Sequence, residues 1–311
     1  MTPARAARRH AATARDGAPH ADPAAAPAAV APPPDAAAAS RTATPPPRRR
    51  PVPRGLARWL PVRRGTGSLY RQWQSLYFLA VRDRAAVARF LRARWPIAVP
   101  LATRLRLVWR FVAITNHVRA YHTQAEMLAV ADAVLARAGT PGLTVVECGC
   151  GKGAGTAKLS LVCRLAGARL LAFDSFRGVP PNAEVDAKLD GTPVRFFAGA
   201  FRGRIAEVRH TVRRFGAPEV VTYHRGWFAD TLRDFAEPVD VALLDVDLVS
   251  STRTCLAALW PRRRAGGVVF SQDGHLRGVV ALLGDAEFWT SLGVPAPQID
   301  GLGRAKLVAL R

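Results

Sequence analysis

Lysine is scarce in this 311-residue chain, although the chain is strongly basic. Only four of its 45 Lys and Arg residues are lysines, so the net charge of +22 comes almost entirely from arginine. Clustered cationic side chains can neutralise nucleic-acid phosphates. The chain lacks, however, the aromatic residues interleaved with basic ones that stack on bases. Arginine with abundant alanine and proline is the usage that a GC-rich genome produces, and the composition disfavours nucleic-acid binding as the main role.

Cysteine is also scarce, and long apolar runs are missing. No two of the four cysteines have the CxxC spacing of a zinc site. We therefore expect reduced thiols and a cytoplasmic protein. No apolar run reaches the length of a transmembrane helix, and the N-terminus lacks the apolar core of a secretory signal. These absences argue against a structural zinc protein and a membrane-spanning one.

Composition divides the chain into three predicted segments. Residues 1–67 are mostly alanine, proline and arginine and are expected to be disordered, because they bury too little apolar surface to offset the entropy of ordering. Residues 68–120 place apolar side chains at helical spacing between arginines, which predicts an N-terminal helical cap. Basic helices of this kind also leave peripheral membrane contact or packing on a second subunit open. Residues 121–311 form the predicted main domain, whose first helix begins at a capping box of Thr123 and Glu126.

Short apolar runs alternate with amphipathic segments in the main domain. Runs ending at Glu147, Asp174, His224 and Asp245 are predicted strands, and the segments between them are predicted helices. This alternation is typical of right-handed βαβ units. We therefore predict an α/β fold with a Rossmann-like, doubly wound and mostly parallel sheet. Residues 306–310 are predicted to add an antiparallel strand at the sheet edge.

The first predicted strand leads into a glycine-rich loop. Glu147 is followed by glycines at positions 149, 151, 153 and 155, and a helical pattern begins directly after them. Glycine permits positive φ and close approach of the backbone to a ligand, so we expect Gly149, Cys150 and Gly151 to contact a nucleotide-like cofactor. Dehydrogenases and methyltransferases both use such loops. Glu147 would repel a pyrophosphate and favours a cofactor with positive charge, such as S-adenosylmethionine.

Three further residues complete the predicted cofactor site. Asp174 ends the second strand, just before Ser175, where a carboxylate can accept hydrogen bonds from both hydroxyls of a ribose. The alternative is that Asp174 only caps the following turn. Trp227 follows the third strand and can stack on an adenine ring or simply cover the rim of the sheet.

Aspartates follow the next two predicted strands. Asp245 and Asp273 both lie where adjacent parallel strands end, so their carboxylates can share a hard cation such as Mg²⁺. Asp245 is also placed to act as a catalytic base. The alternatives are structural, because Asp247 could cap the next helix and Asp273 could anchor a turn at Gly274.

In this order, the motifs resemble those of class I S-adenosylmethionine-dependent methyltransferases, and more narrowly those of the macrocin O-methyltransferase family, which modifies sugars of macrolides and related natural products. The resemblance covers residues 121–283. It implies methyl transfer to a hydroxyl, with Mg²⁺ bound by Asp245 and Asp273. The matching segments are residues 146–149 (VECG), 173–180 (FDSFRGVP), 226–232 (GWFADTL), 245–252 (DVDLVSST) and 266–269 (GGVV).

The chain departs from the family pattern at one ligand position. The family has two adjacent aspartates where this chain has Gln272 and Asp273, and it has a tyrosine where this chain has Val249. An amide binds Mg²⁺ less tightly than a carboxylate does, so metal use stays open. The leading hypothesis is an S-adenosylmethionine-dependent methyltransferase that acts on a hydroxyl of a small molecule or sugar, with homo-oligomer formation open. The rivals are an RNA methyltransferase, a nicotinamide oxidoreductase and a non-catalytic binding module of the same fold.

Overall fold

A computed structural model describes residues 74–311 of the chain. The predicted disordered tail, residues 1–67, lies outside the described residues. The described part opens with a short π-helical turn, Phe78–Arg82, followed by three α-helices. These are α1 (Arg84–Arg92), α2 (Leu101–His117) and α3 (Gln124–Ala136).

The predicted capping box is present at the start of α3. The Glu126 amide donates to Thr123 Oγ1 at 3.1 Å, and Glu126 Oε2 accepts from the Thr123 amide at 2.6 Å. This pair satisfies two amides that a helix start otherwise leaves without partners. It also fixes the point at which α3 begins.

Strands and helices then alternate, as the sequence pattern predicts. The remaining strands and α-helices are β1 (Thr144–Cys148), α4 (Ala154–Ala166), β2 (Arg169–Asp174), β3 (Asp186–Ala187), β4 (Pro193–Val194), α5 (Ile205–Phe215), β5 (Val221–Arg225), α6 (Phe228–Thr231), β6 (Val239–Leu244), α7 (Val249–Leu259), β7 (Arg263–Ser271), α8 (Arg277–Gly284), α9 (Ala286–Ser291), β8 (Ile299–Asp300) and β9 (Val308–Leu310).

The large sheet has seven strands in the order β5, β2, β1, β6, β7, β9, β8. The first five are parallel, and β9 runs antiparallel to both β7 and β8. The predicted α/β class with a mostly parallel sheet is confirmed. The predicted antiparallel last strand is also present, but its edge position is wrong, because the short β8 pairs outside it.

The strand order reverses between β1 and β6, and this reversal indicates where a ligand site is expected. Beyond β1 the chain first extends the sheet through β2 and β5, and it later returns to the other side of β1 with β6. Open α/β sheets bind ligands outside the carboxyl ends of their strands at such a switch point. Cys148, the last residue of β1, pairs with Phe173 and Leu244 at this edge.

Both faces of the sheet are covered, which explains why its central strands β1, β2 and β6 are mostly apolar. Val145 and Leu170 pack into one cluster with residues of α1 to α5, and Val146 and Leu171 pack into a second cluster with residues of α7 to α9. The cap helices α1 and α2 thus share a core with α4, while the domain boundary placed at residue 121 stays a prediction. Within residues 74–311, the helices are all too short or too polar to cross a membrane.

Candidate active site

A cavity of about 800 Å³ opens at the carboxyl edge of the parallel strands. It collects side chains from the ends of β1, β2, β6 and β7 and from the segments that follow β4 and β5. The structure brings together here every residue that the sequence predicts for the site. They are Glu147, Gly149, Cys150, Gly151, Asp174, Ser175, Trp227, Asp245 and Asp273.

The glycine loop fits tightly between two strand ends. Gly149 has φ of 92°, its amide donates to the Phe173 carbonyl at 2.9 Å, and a Cβ at this position would overlap the Asp245 carbonyl. Positive φ and this close approach both require glycine. The loop therefore has a fixed path from β1 into α4, whose first residues face the cavity.

Asp174 connects the second strand to this loop. Its Oδ2 accepts from the amides of Cys150 at 2.7 Å and Gly151 at 3.3 Å, and its Oδ1 accepts from the Phe176 amide at 2.6 Å. Burial raises the pKa of Asp174, and these backbone hydrogen bonds oppose the rise. Asp174 thus caps the turn after β2, as the structural alternative predicts, and also borders the cavity. A carboxylate offers about four acceptor sites, so one site, on Oδ1, stays free for a ligand hydroxyl.

Glu147 is a buried acid whose second oxygen has no partner. The side chain is 1% exposed, and Oε2 has no hydrogen-bond partner among residues 74–311. Burial raises the pKa of Glu147 to about 8, the nearby Thr156 hydroxyl opposes the rise, and the carboxylates of Asp245 and Asp174 add to it more weakly. An unpaired carboxylate out of water is costly unless something compensates it. A cationic ligand group in the cavity is the compensation that this arrangement favours.

Three aspartates cluster at the ends of β6 and β7. Asp245, Asp247 and Asp273 each have a carboxylate oxygen within 4.8 Å of the other two. Burial and mutual repulsion raise the pKa of Asp245 to about 7 and that of Asp247 to about 8, and burial also raises the pKa of Asp273. Lys306 opposes these shifts in all three. Close carboxylates that repel one another fit a hard cation such as Mg²⁺, which prefers oxygen ligands.

Asp247 belongs to this cluster rather than to a helix cap. Its backbone is left-handed with φ of 64°, and its amide donates to Asp273 Oδ2 at 3.0 Å. The alternative that Asp247 caps α7 is wrong, because the amides of Val249 and Ser250 donate to Glu184 at 2.9 and 3.2 Å. Glu184 comes from a distant segment, so no local spacing could reveal it as the cap.

Gln272 lies outside the acidic cluster. Its Nε2 donates to Glu126 Oε2 at 2.8 Å, which ties the end of β7 to the capping box of α3. The resemblance to the macrocin family treats Gln272 as a weaker metal ligand at a position where the family has an aspartate. In the structure, Asp247 provides the third carboxylate of the cluster instead.

Two segments without a recognisable sequence motif close the cavity. Residues 119–122, between α2 and α3, line one side, and the hairpin β3–β4 brings Lys188 and Val194 to another. The hairpin is held by Glu184 at the start of α7 and by Asp186, which accepts from the Gly278 amide at 2.9 and 3.1 Å. These anchors join segments far apart in sequence and therefore leave no periodic signal.

Part of the chain is similar in sequence to known proteins. Residues 146–274 match a family model described as a methyltransferase domain. Over 172 residues the chain is 30% identical to the 8-demethyl-8-(2,3-dimethoxy-alpha-L-rhamnosyl)-tetracenomycin-C 4'-O-methyltransferase of Streptomyces olivaceus. The aligned part is 53% of this chain and 65% of that protein, so the chain spans slightly less than two thirds of the relative's length.

Two solved structures share the fold. The O-methyltransferase NovP superposes with a TM-score of 0.51 at 20% identity, covering 62% of this chain and 82% of NovP. The calicheamicin methyltransferase CalS11 superposes with a TM-score of 0.50 at 15% identity, covering 80% of this chain and 94% of CalS11. The narrower resemblance to the macrocin family stays a prediction. The chain thus matches a methyltransferase domain over residues 146–274 and shares the Rossmann-like fold of these two methyltransferases.

Proposed function

We propose that this protein is an S-adenosylmethionine-dependent O-methyltransferase that acts on a hydroxyl of a small molecule. The observation that carries the proposal is the pairing of two features in one cavity. The unpaired Glu147 carboxylate lies beside the glycine loop, and the aspartate cluster lies at the neighbouring strand end. The first suits a cationic cofactor, and the second suits activation of a hydroxyl.

The cofactor would lie along the loop after β1. The backbone of Gly149 to Gly151 would contact the nucleoside, and Asp174, next to Ser175, would accept a hydrogen bond from a ribose hydroxyl. Trp227, at the start of α6, lines the cavity and would cover the adenine ring. Glu147 would attract the ammonium and sulfonium charges of the methionine part, which a nicotinamide dinucleotide does not carry.

Asp245 is the proposed base. Methyl transfer forms a bond between the acceptor oxygen and the methyl carbon, breaks the bond from that carbon to sulfur, and turns the sulfonium into a thioether. The hydroxyl proton must leave as the oxygen attacks, and Asp245 would receive it. Its pKa of about 7 suits a base that works near neutral pH. Holding the two reactants in line contributes much of the rate enhancement.

The three aspartates would also hold Mg²⁺, if the enzyme uses it. Asp245, Asp247 and Asp273 supply carboxylate oxygens, and their raised pKa values reflect a negative charge that a cation relieves. When bound, the ion would polarise the acceptor hydroxyl and stabilise its developing negative charge. Asp273 also accepts from the amides of Val246 and Asp247, which positions this turn independently of any ion.

We further propose a sugar hydroxyl on a glycosylated natural product as the acceptor. The relative from Streptomyces olivaceus is named as a methyltransferase of a rhamnosyl tetracenomycin, and CalS11 as a calicheamicin methyltransferase. The cavity wall offers aromatic surface for an apolar aglycone from Tyr121, Phe196 and Phe201. The buried, unpaired state of all four cysteines supports a cytoplasmic location, whereas oligomer formation and membrane contact stay predictions.

An activity assay tests this proposal. The full chain is incubated with S-adenosylmethionine and a panel of rhamnosylated and non-glycosylated aromatic polyketides, and methylated products are detected by mass spectrometry. Methylation of a glycosylated acceptor, with kcat lowered roughly 100-fold or more in Asp245→Asn, is expected. Unchanged kcat in Asp245→Asn would contradict the role of Asp245 as base, and transfer to RNA instead of these acceptors would contradict the acceptor class.

A further inference from the structure

A fully buried lysine lies next to the cavity. Lys158, on α4, is 0% exposed and is surrounded by side chains of α2 and α3 and of the segment between them. Its Nζ contacts Thr115 Oγ1 at 2.7 Å, His122 Nε2 at 3.0 Å and Gln124 Oε1 at 3.2 Å. Removing an ammonium from water is costly, so this polar cluster inside a helical core points to a function.

The partner atoms of Lys158 determine which group donates in each of these contacts. The Thr115 hydroxyl donates to the Phe111 carbonyl, so its oxygen accepts from both Lys158 and Gln124 Nε2. Gln124 Oε1 carries no proton and also accepts from Lys158. Two of the three ammonium protons of Lys158 are therefore used, and the third lies on the line to His122 Nε2.

Burial lowers the pKa of Lys158 to about 7, and while Lys158 is protonated its contact determines which nitrogen of His122 carries a proton. When Nε2 accepts from Lys158, the imidazole carries its own proton on Nδ1. If the shared proton moves onto Nε2, the ring becomes an imidazolium that still carries the Nδ1 proton. In either case the Lys158–His122 pair carries one positive charge, and Nδ1–H is a hydrogen-bond donor. His122 lines the cavity, and its Nδ1 has no partner within residues 74–311.

His122 and Glu147 flank the same space above Gly155. A Cβ at Gly155 would lie 2.5 Å from Glu147 Oε1 and 3.8 Å from His122 Cε1. The cavity thus presents an unpaired carboxylate beside a charge-backed donor. Five Lys and Arg side chains also line the cavity. Lys306 donates to the Tyr121 carbonyl, the Arg119 guanidinium stacks on the Tyr121 ring, and Lys152 pairs with Glu207 at 3.6 Å. The other two are Lys188 and Arg202.

The Glu147 carboxylate is complementary to an ammonium, and the His122 Nδ1–H is complementary to a carboxylate. An amino acid carries both of these groups on one carbon. We propose that His122 binds the α-carboxylate of the cofactor's methionine part, that Glu147 binds its ammonium, and that Lys158 is the positioning residue that keeps His122 a donor. This inference rests on the proposed function, because it assigns contacts within the S-adenosylmethionine site. It also accounts for the buried Lys158, which reaches the ligand only through His122.

Two ligands that differ in the amino-acid part separate this role from a structural one. S-adenosylhomocysteine carries the ammonium and carboxylate, whereas 5'-methylthioadenosine keeps the adenosine and sulfur and lacks both. Calorimetric titration of the full chain is carried out with each ligand on wild type, Lys158→Met and His122→Phe. His210→Phe, at an exposed position on α5, is the matched control.

Both variants should bind S-adenosylhomocysteine roughly 10- to 100-fold more weakly, the range for loss of a charge-assisted hydrogen bond, and should bind 5'-methylthioadenosine as wild type does. Retained 5'-methylthioadenosine binding shows that the variant site is folded. If Lys158→Met does not fold, His122→Phe decides the result by the same comparison. The double variant should lose no more affinity than His122→Phe alone, because Lys158 acts through His122.

Three results would overturn the proposal. The first is an equal loss of affinity for both ligands in the single variants. The second is an unchanged affinity of His122→Phe for S-adenosylhomocysteine. The third is a loss of affinity in the double variant that equals the sum of the two single losses. Wild type that binds neither ligand would instead remove the proposed function and this inference with it. If wild type binds both ligands but the variants do not lose affinity selectively for S-adenosylhomocysteine, this inference alone is removed.

Discussion

Replacing Glu147 by glutamine should have opposite effects on stability and on cofactor binding. The side chain is 1% exposed and Oε2 lacks a partner among residues 74–311, so its ionised form is poorly solvated. Glutamine keeps nearly the same shape and carries no charge. We expect Glu147→Gln to stabilise the ligand-free protein at alkaline pH and to weaken binding of a ligand that carries an ammonium.

The size of the stability effect follows from the pKa of Glu147. Burial raises this pKa from 4.5 to about 8, so the folded protein holds the proton more tightly than the unfolded chain does. For an acid with a raised pKa, the stabilisation is fully present below the unfolded pKa and is lost as pH rises through the folded one. At about 1.4 kcal/mol per pKa unit, the loss at pH about 8 is at most roughly 4 kcal/mol. The neutral glutamine does not suffer this loss.

Urea unfolding of the ligand-free protein at pH about 8 and at pH about 5.5 measures this effect. Glu147→Gln should exceed wild type in unfolding free energy at the higher pH, and the gap should narrow at the lower pH. Titration with S-adenosylhomocysteine should show affinity lowered roughly tenfold or more in the variant. The exposed Glu219→Gln is the matched control and should change neither quantity. A variant no more stable than wild type at pH about 8, with unchanged affinity, would refute the reasoning.

Three further predictions concern the rest of the site. Asp174→Ala should weaken S-adenosylhomocysteine and 5'-methylthioadenosine alike, by roughly tenfold in calorimetry, because both carry the ribose; unchanged affinity would remove the ribose assignment. Asp247→Asn and Asp273→Asn should each reduce Mg²⁺ affinity in a direct titration, whereas the exposed Asp230→Asn should not, and equal affinities would remove the metal site. Gly149→Ala should lower Tm by several degrees, because its Cβ would overlap the Asp245 carbonyl at a positive φ, and a wild-type Tm would show that the loop can relax.

Those parts of the molecule that depend on local patterns could be predicted from the sequence. Apolar runs of strand length identify β1, β2, β6 and β7, and Thr123 with Glu126 identifies the start of α3. Acidic residues at strand ends meet in one cavity because parallel strands bring their carboxyl ends to one edge. This geometric rule explains how residues as distant as Glu147 and Asp273 could be assigned to a single site.

Features that join distant segments could not be predicted in this way. Gln272 binds Glu126 across 146 positions, and Glu184 caps a helix that starts 65 positions later. Capping by a residue outside the helix leaves no spacing to detect, and the sequence therefore offers only the nearby Asp247 as an alternative cap, which is wrong. The buried Lys158 was similarly hidden, because a lysine in a helical pattern normally indicates the solvent-exposed face.

Binding of the demethylated cofactor to the full chain tests the central claim most directly. Calorimetric titration of wild type with S-adenosylhomocysteine near neutral pH should give saturable one-site binding, with a dissociation constant in or below roughly the micromolar range. NADH should not compete, because it carries no ammonium that could pair with Glu147, and an ionised Glu147 would repel its pyrophosphate. No detectable heat with S-adenosylhomocysteine at concentrations up to about 1 mM, or displacement of it by NADH, would contradict the account.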